Sequence, residues 1–281
     1  MSGFRAPTTV YGVDFSGARR AGESIYLARG TAEDGALDVE ACVPAPDLLE
    51  ADAVRESVLP ALRSFLAETG GGTAFGLDFS FGLPAFLLDA AGVDDWAAFV
   101  RWFPDGFADA SEFSAWARER AAEREGDRTY YRRETDRAVG ATSPYHFFVK
   151  AQTFHGVRDV LKPLVEAGSA RVLPMRDPDP DLPWALEAYP AATLDRLGGH
   201  RERYKTNDES GRRRRAENVD ALAALDGVSV ADDVRKRAVA DADGDALDAV
   251  VAAVATWERT RSAERLRPSG TAWRREGHIF V

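Results

Sequence analysis

Acidic residues close the most apolar short segments of this sequence. Asp14 ends YGVD, Asp78 ends FGLD and Glu187 ends WALE, and the first two segments continue alike, as GVDFSG and GLDFSFG. A carboxylate beside an apolar strand is costly unless it is hydrated, paired or bound to a metal ion. The carboxyl ends of parallel strands face the crevice that holds ligands. Each acid taken alone has an equally simple explanation, because an aspartate often caps the helix that follows it.

Two further acids lie in GDALDAVVAAVATW, residues 244–257, the most apolar helical segment of the chain. Asp245 and Asp248 are three residues apart, so a helix places both on one face. Acids in a first helical turn also interact favourably with the helix dipole, which is the simpler explanation for them. Their apolar neighbours favour a functional role, because an aspartate there requires something that compensates its charge.

Carboxylates that converge from separate elements suit hard divalent cations, and paired ions can clamp the attacking and leaving oxygens of a phosphodiester. We expect these acids to surround one cleft and to bind one or two Mg²⁺ or Mn²⁺ ions. The predicted catalytic set is Asp14, Asp78, Glu187, Asp245 and Asp248, of which all but Asp78 are predicted metal ligands. The sequence has no G-x-x-x-x-G-K-[ST] phosphate loop and no G-x-S-x-G elbow, and its four histidines lack zinc-ligand spacing.

Positive charge is concentrated between Arg201 and Arg215, where seven basic residues stand against three acidic ones. Such a loop could neutralise phosphates beside a metal site. The simpler explanation is a solvated helix start, although the four arginines at 212–215 would then oppose the helix dipole. The predicted substrate-binding residues are Ser16, Lys205, Arg214 and Arg215.

A mixed sheet is predicted to position these residues. Short turns separate strands at 8–15, 24–28 and 37–43, so these strands form an antiparallel meander. Apolar periodicity predicts a helix at 51–68, strands at 73–79, 170–174 and 184–189, and helices at 212–225, 230–240 and 243–261. The segment 84–167 is helical, either as an insertion or as a layer over the sheet. This order predicts a single α/β domain over 1–281 with a ribonuclease H-like mixed sheet, an antiparallel meander plus parallel strands flanked by helices.

Composition limits the class of protein. The 281 residues are 45% hydrophobic and 29% charged, as in a globular domain, and no stretch approaches the ~20 apolar residues of a membrane span. The first residues lack the pattern of a signal peptide, and the single Cys42 excludes a disulfide framework, so a cytoplasmic location is expected. The net charge of −10 counts mildly against a polyanionic partner, but local patches decide that question.

Four segments occur in an order that resembles the domain-of-unknown-function family 429: GVDFSGA (12–18), GLDFSFGLP (76–84), EAYPAATL (187–194) and GDALDAVVAAVATW (244–257). That family is regarded as predicted nucleases with a ribonuclease H-like fold, akin to Holliday-junction resolvases. The resemblance implies that Asp14 is the acid of the first strand and Glu187 that of a later strand. It further implies that Asp78 is a second strand-end aspartate and that Asp245 or Asp248 is the acid of the closing helix.

The leading hypothesis is a metal-dependent nuclease that hydrolyses phosphodiester bonds of DNA or RNA by direct attack of water. One alternative is a phosphoryl-transfer enzyme, such as a kinase or ATPase, because Asp14-Phe-Ser-Gly resembles the first phosphate turn of such enzymes. Another is a nucleic-acid-binding adaptor without turnover. Phe15 and Phe79 follow the two strand aspartates, at positions where smaller residues are often found. The sequence therefore does not determine the shape of the crevice.

Overall fold

A mixed sheet lies at the centre of the computed structural model, which describes residues 4–126 and 128–281. Within these residues the sheet has eight strands. They are β1 (Thr9–Asp14), β2 (Tyr26–Glu33), β3 (Ala36–Pro44), β4 (Thr73–Leu77), β5 (Arg171–Leu173), β6 (Trp184–Ala188), β7 (Val228–Val230) and β8 (Ile279–Phe280). Their order is β5-β6-β4-β1-β2-β3-β7, and β8 pairs with β6. The β1–β2–β3 meander is antiparallel, whereas β4 and β6 continue the sheet parallel to β1. The predicted mixed α/β sheet is therefore present.

Helices cover both faces of this sheet. The α-helices are α1 (Ala45–Leu49), α2 (Arg55–Glu68), α3 (Ala85–Ala90), α4 (Trp96–Trp102), α5 (Ala110–Ala122), α6 (Glu134–Val139), α7 (Lys150–His155), α8 (Lys162–Ala167), α9 (Pro190–Arg196), α10 (Glu209–Ala223), α11 (Asp232–Ala240), α12 (Asp245–Thr260) and α13 (Trp273–Glu276). A π-helical segment at Gly156–Leu161 joins α7 to α8, and short 3₁₀ turns lie at Ala21–Glu23 and Phe103–Asp105. Among the described residues we find no helix with the length and hydropathy to span a bilayer.

The closing helix α12 packs directly on the backbone of β1 and β4. A Cβ atom on Gly12 would overlap the carbonyl oxygen of Ala249, and one on Gly76 would overlap the hydroxyl of Thr256. Only glycine permits so close an approach of helix and strand. Because each glycine stands two residues before a strand-end aspartate, this approach brings the start of α12 to the two acids.

Side chains of β1 and β4 alternate between two cores. Tyr11, Val13 and Phe75 pack with α2 and with helices of the segment 84–167, whereas Val10 packs with residues of α12. The period of two then directs Asp14 and Asp78 towards α12. Phe15 and Phe79 are buried in the opposite core, with ring centroids 4.5 Å apart. The two phenylalanines therefore fill the core on the face opposite the acids.

The structure corrects several predicted boundaries. Strand β2 continues to Glu33, beyond the predicted end at residue 28, with a register shift between Arg29 and Gly30 in its pairing with β3. Strands β7 and β8 were not predicted, since three and two residues carry too little periodicity. The single-domain organisation over 1–281 and the cytoplasmic location stay predictions.

Candidate metal centre

Three aspartates from three elements meet at one edge of the sheet. Asp14 is the last residue of β1, Asp78 follows β4, and Asp248 lies in the first turns of α12. Because Val13 pairs with Leu77 in the parallel β1–β4 ladder, the next residues on both strands reach the same level. One carboxylate oxygen from each aspartate lies within 4.8 Å of the other two. Asp14 and Asp248 are 6% and 3% exposed.

Lys205 and Tyr204 contact this cluster from the loop before α10. The Nζ atom of Lys205 lies 2.7 Å from Oδ2 of Asp248 and 3.7 Å from Oδ1 of Asp245. The hydroxyl of Tyr204 donates a hydrogen bond of 2.8 Å to Oδ1 of Asp248. Gly244 precedes α12 with a φ of 79°. Its missing side chain leaves room for Tyr204 and Lys205.

Three of the acids at this edge, Asp14, Asp78 and Asp245, resist ionisation because their pKa values are raised. Burial raises the pKa of Asp14 well above its ordinary value, against the lowering effect of Lys205, and the charge of Asp248 raises it further. Burial, followed by the charge of Asp248, raises the pKa of Asp78 to about 8. Burial also raises the pKa of Asp245 to about 6. One ammonium group therefore does not compensate these carboxylates, and a further cation would stabilise their charged forms.

Glu187 does not join the three aspartates, contrary to our expectation for the metal shell. In the parallel β4–β6 ladder Glu187 pairs with Leu77, one residue before Asp78. Its side chain therefore shares the face of Leu77, away from α12. There its Oε2 atom accepts hydrogen bonds from Nη1 of Arg133, at 2.8 Å, and from the N–H of Phe81, at 3.0 Å.

Arg133 connects Glu187 to the helical layer, and the sequence did not identify it. Its guanidinium is fully buried and also pairs with Asp136, at 2.7 Å. Desolvation disfavours the charged guanidinium, but these two carboxylates outweigh it and raise the pKa of Arg133. Among 32 arginines no spacing or motif distinguishes this one. Its partner Glu187 is 54 residues away along the chain.

The predicted substrate-binding residues take different positions. Lys205 contacts the cluster, and its side chain is 44% exposed. Ser16 is partly exposed in the turn after β1, where its hydroxyl accepts a hydrogen bond from the N–H of Ala18. Arg214 is partly exposed and lies near the carbonyl oxygen of Arg203, at 3.4 Å.

Arg215 was predicted to contact substrate, and this is corrected: the residue is 2% exposed. It donates hydrogen bonds to the carbonyl oxygens of Tyr204, at 2.6 Å, and Val239, at 3.0 Å. Arg215 therefore anchors the segment that carries Tyr204 and Lys205. The helix also begins earlier than expected, at Glu209, with Asp208 as its cap, so the arginines do not occupy its first turn.

A cavity of about 120 Å³ opens beside the cluster. It is lined by Asp78, by Glu187 with its partner Arg133, and by Gln152 of α7. The amide of Gln152 donates a hydrogen bond of 2.6 Å to the carbonyl oxygen of Phe15, the residue after Asp14. The start of α7 therefore lies against the loop that follows the first aspartate.

Comparison with known proteins gives one match. No curated protein and no solved structure matches this chain. The model of one family, described as "Protein of unknown function (DUF429)", matches residues 12–270. This span contains the three clustered aspartates together with Lys205, Tyr204 and Arg133. The chain therefore belongs to the DUF429 family.

Proposed function

We propose that this protein is a metal-dependent nuclease that hydrolyses phosphodiester bonds of DNA or RNA, with Mg²⁺ or Mn²⁺ as its cofactor. The observation that carries the proposal is the group formed by Asp14, Asp78 and Asp248, whose carboxylate oxygens lie within 4.8 Å of one another. Three acids so close together, two of them buried, are costly unless cations compensate them.

The donor set fits a hard divalent cation. All three residues offer carboxylate oxygens, the donor type that magnesium and manganese prefer. Asp14, Asp78 and Asp248 would hold the ion, and Asp245 is one helical turn from Asp248. When bound, such an ion polarises a phosphoryl oxygen and lowers the pKa of a coordinated water.

The other residues at this edge position the acids. The hydroxyl of Tyr204 donates a hydrogen bond to one oxygen of Asp248 and so orients that carboxylate. Lys205 neutralises part of the negative charge, and its half-exposed ammonium can contact a phosphate that enters the cluster. Arg133 holds Glu187 on the other face, so that its charge is compensated before any ligand arrives.

We further propose a ribonuclease H-like classification for the fold. Its support is the β3-β2-β1-β4-β6 part of the sheet, in which an antiparallel meander is extended by strands parallel to β1. The central position of β1 places Asp14 between the meander and the parallel strands.

The phosphoryl-transfer alternative receives less support. A Cβ atom on Gly17, in the turn after Asp14, would overlap backbone atoms of Ala151 in α7. This turn is therefore packed against a helix, whereas a phosphate-binding turn must leave its backbone N–H groups accessible. The adaptor alternative differs from the nuclease in turnover, which an activity assay decides.

The test combines metal binding with cleavage. Titration calorimetry with Mn²⁺ and cleavage of labelled single-stranded and double-stranded DNA and RNA are measured for the wild type, Asp14→Asn and Asp248→Asn. Asp243→Asn is the matched control, because Asp243 is exposed just before α12. We expect the first two variants to lose Mn²⁺ binding and cleavage while the control keeps both. A wild type that binds nucleic acid but never cleaves it would establish the adaptor instead.

A further inference from the structure

Two consecutive phenylalanines project from the loop that precedes α7. Phe147 and Phe148 are 56% and 74% exposed, more than any other large apolar side chain that the structure describes. Their ring centroids are 3.9 Å apart, and His146 lies 4.4 Å from Phe147 and 4.4 Å from Tyr130. Exposed aromatic rings that touch one another are unfavourable in water, so such a patch points to a ligand that covers it.

Positive charge lies beside these rings. Arg128, Arg132 and Arg137, with Tyr130 and Tyr131, line a cavity of about 410 Å³. The chain as a whole carries −10, so this concentration of arginine is local. Tyr130 belongs both to this cavity and to the aromatic patch, which makes the two one continuous surface.

Two segments of the chain form this surface, and each continues directly to a residue that lines the cavity beside the candidate metal centre. Arg132 is followed directly by Arg133, which pairs with Glu187 beside the cavity at Asp78. Phe148 is followed by Val149, which lines that cavity together with Gln152. A strand lying on the surface would therefore lead to the acidic cluster.

We propose that the aromatic–arginine surface, formed by Arg128, Tyr130, Arg132, Phe147 and Phe148, binds a single-stranded segment of nucleic acid and delivers it to the three aspartates. This inference rests on the proposed function and specifies its substrate as an unpaired strand. Aromatic rings stack on bases of any sequence, and guanidinium groups contact the phosphates. Inside a duplex each base face is covered by the neighbouring base pair, so the two phenylalanines can stack only at its ends.

The experiment measures binding without cleavage, in EDTA, by fluorescence anisotropy. The probes are oligothymidylate and oligouridylate of about 20 nucleotides, a length that spans one binding site, and a blunt DNA duplex of the same length. The test variant is Phe147→Ala/Phe148→Ala. The matched control is Phe4→Ala, an exposed phenylalanine that packs on Trp184 at the start of β6, the opposite end of that strand from the acids. Both sites are at the surface, and circular dichroism verifies that each variant is folded.

We expect the double variant to bind single strands roughly tenfold or more weakly than the wild type, the scale of lost base stacking, while Phe4→Ala binds as the wild type does. Comparison of the thymidylate and uridylate probes shows whether the strand is DNA or RNA. Arg132→Ala should weaken binding and flatten its dependence on salt concentration.

Equal affinity of the wild type and the double variant would overturn the inference. So would a wild-type dimer in sedimentation that Phe147→Ala/Phe148→Ala dissociates, because a second copy of the chain would then cover the patch. Cleavage is assayed separately with Mn²⁺. Cleavage without dependence on the phenylalanines leaves the nuclease proposal intact and rejects the surface. Strand binding through the phenylalanines without any cleavage retains the surface and rejects the nuclease.

Discussion

The ammonium of Lys205 lies 2.7 Å from Oδ2 of Asp248, so the acidic cluster contains a counter-ion of its own. Lys205 also lowers the pKa of Asp14 and that of Asp78. The ammonium of Lys205 would repel a divalent cation that binds at the cluster. The lysine therefore stabilises the metal-free protein and opposes binding of the metal.

Lys205→Met should separate these two effects. We expect the metal-free variant to be less stable than the wild type, by less than the roughly 3–5 kcal/mol of a fully buried pair, because the Lys205 side chain is 44% exposed. Removal of the competing charge should tighten Mn²⁺ binding. Thermal unfolding in EDTA and in Mn²⁺ measures both, with exposed Lys236→Met as the control. Weaker Mn²⁺ binding in Lys205→Met would contradict the competing role.

Glu187→Gln distinguishes a structural acid from a metal ligand. The substitution removes one of two carboxylates that pair with buried Arg133, so we expect a loss of about 3 kcal/mol in the free energy of unfolding. Mn²⁺ affinity of the folded variant should fall by less than the roughly 10- to 100-fold typical of a residue that orients a ligand. Asp248→Asn should show the opposite, with a larger loss of Mn²⁺ affinity and a smaller loss in the free energy of unfolding than Glu187→Gln. Calorimetry and urea unfolding of both variants provide the comparison, and equal losses of Mn²⁺ affinity would return Glu187 to the metal shell.

The contrast between Asp78 and Glu187 shows how far the sequence could lead. Both acids close apolar strands, and the sequence correctly places each at the end of its strand. Because Leu77 pairs with Glu187, Asp78 lies one residue beyond Glu187 in the register of β4 and β6. An offset of one residue places two strand side chains on opposite faces of the sheet. Register depends on long-range pairing, which no local pattern encodes.

Residues that act through distant partners were likewise beyond sequence reasoning. Arg133 binds an acid 54 residues away, and Tyr204 binds Asp248 across 44 residues. Tyr204 had a weak signal, since it precedes Lys205 in the basic segment. The spacing of Asp245 and Asp248 predicted one shared helix face, because the geometry of a helix is local. It could not tell which of the two joins Asp14 and Asp78, and in the structure that residue is Asp248.

Arg215→Ala should affect stability through the loop that it anchors. The guanidinium donates to the carbonyl oxygens of Tyr204, Thr206 and Val239, and hydrogen bonds of charged donors contribute about 1.5–3 kcal/mol each. We expect a loss of several kcal/mol and a mobile Tyr204–Lys205 segment. Arg213→Ala, at an exposed position on the same helix, should stay within about 0.5 kcal/mol of the wild type. Urea unfolding measures both, and equal stability of the two variants would reject the anchoring role.

Gly12→Ala tests the packing that brings α12 to the acids. The added methyl would overlap backbone atoms of Ala249 and Ala253, which cannot rotate away, so the helix must shift. We expect a loss of at least about 1–3 kcal/mol, the usual cost of overpacking, and weaker Mn²⁺ binding because Asp248 moves with the helix. In the control, Gly106→Ala, the nearest neighbour of the new methyl is at 3.5 Å. Wild-type stability and Mn²⁺ affinity in Gly12→Ala would show that the close approach is not required.

The dependence of stability on pH follows from Asp78. Its pKa is raised from 3.8 to about 8 in the folded protein, mainly by burial, so the folded form holds the proton more tightly than the unfolded form. This contribution is fully present below pH 3.8 and is lost as the pH rises towards about 8. In EDTA, the free energy of unfolding of Asp78→Asn should therefore fall less than that of the wild type as the pH rises from 3.8 to about 8. Asp14 and Asp245 remain in the variant and act in the same direction, so the slope is reduced and not abolished.

Saturating Mn²⁺ should reverse the slope of the wild type, because the metal binds deprotonated carboxylates and its affinity rises with pH. Urea unfolding at several pH values, with EDTA and with Mn²⁺, gives the four curves. Parallel curves for the wild type and Asp78→Asn in EDTA would mean that Asp78 is ionised in the folded protein. The charge of Asp78 would then already be compensated without the metal. Asp78 would not need a further cation, and the nuclease proposal, which depends on that need, would lose its support at this position.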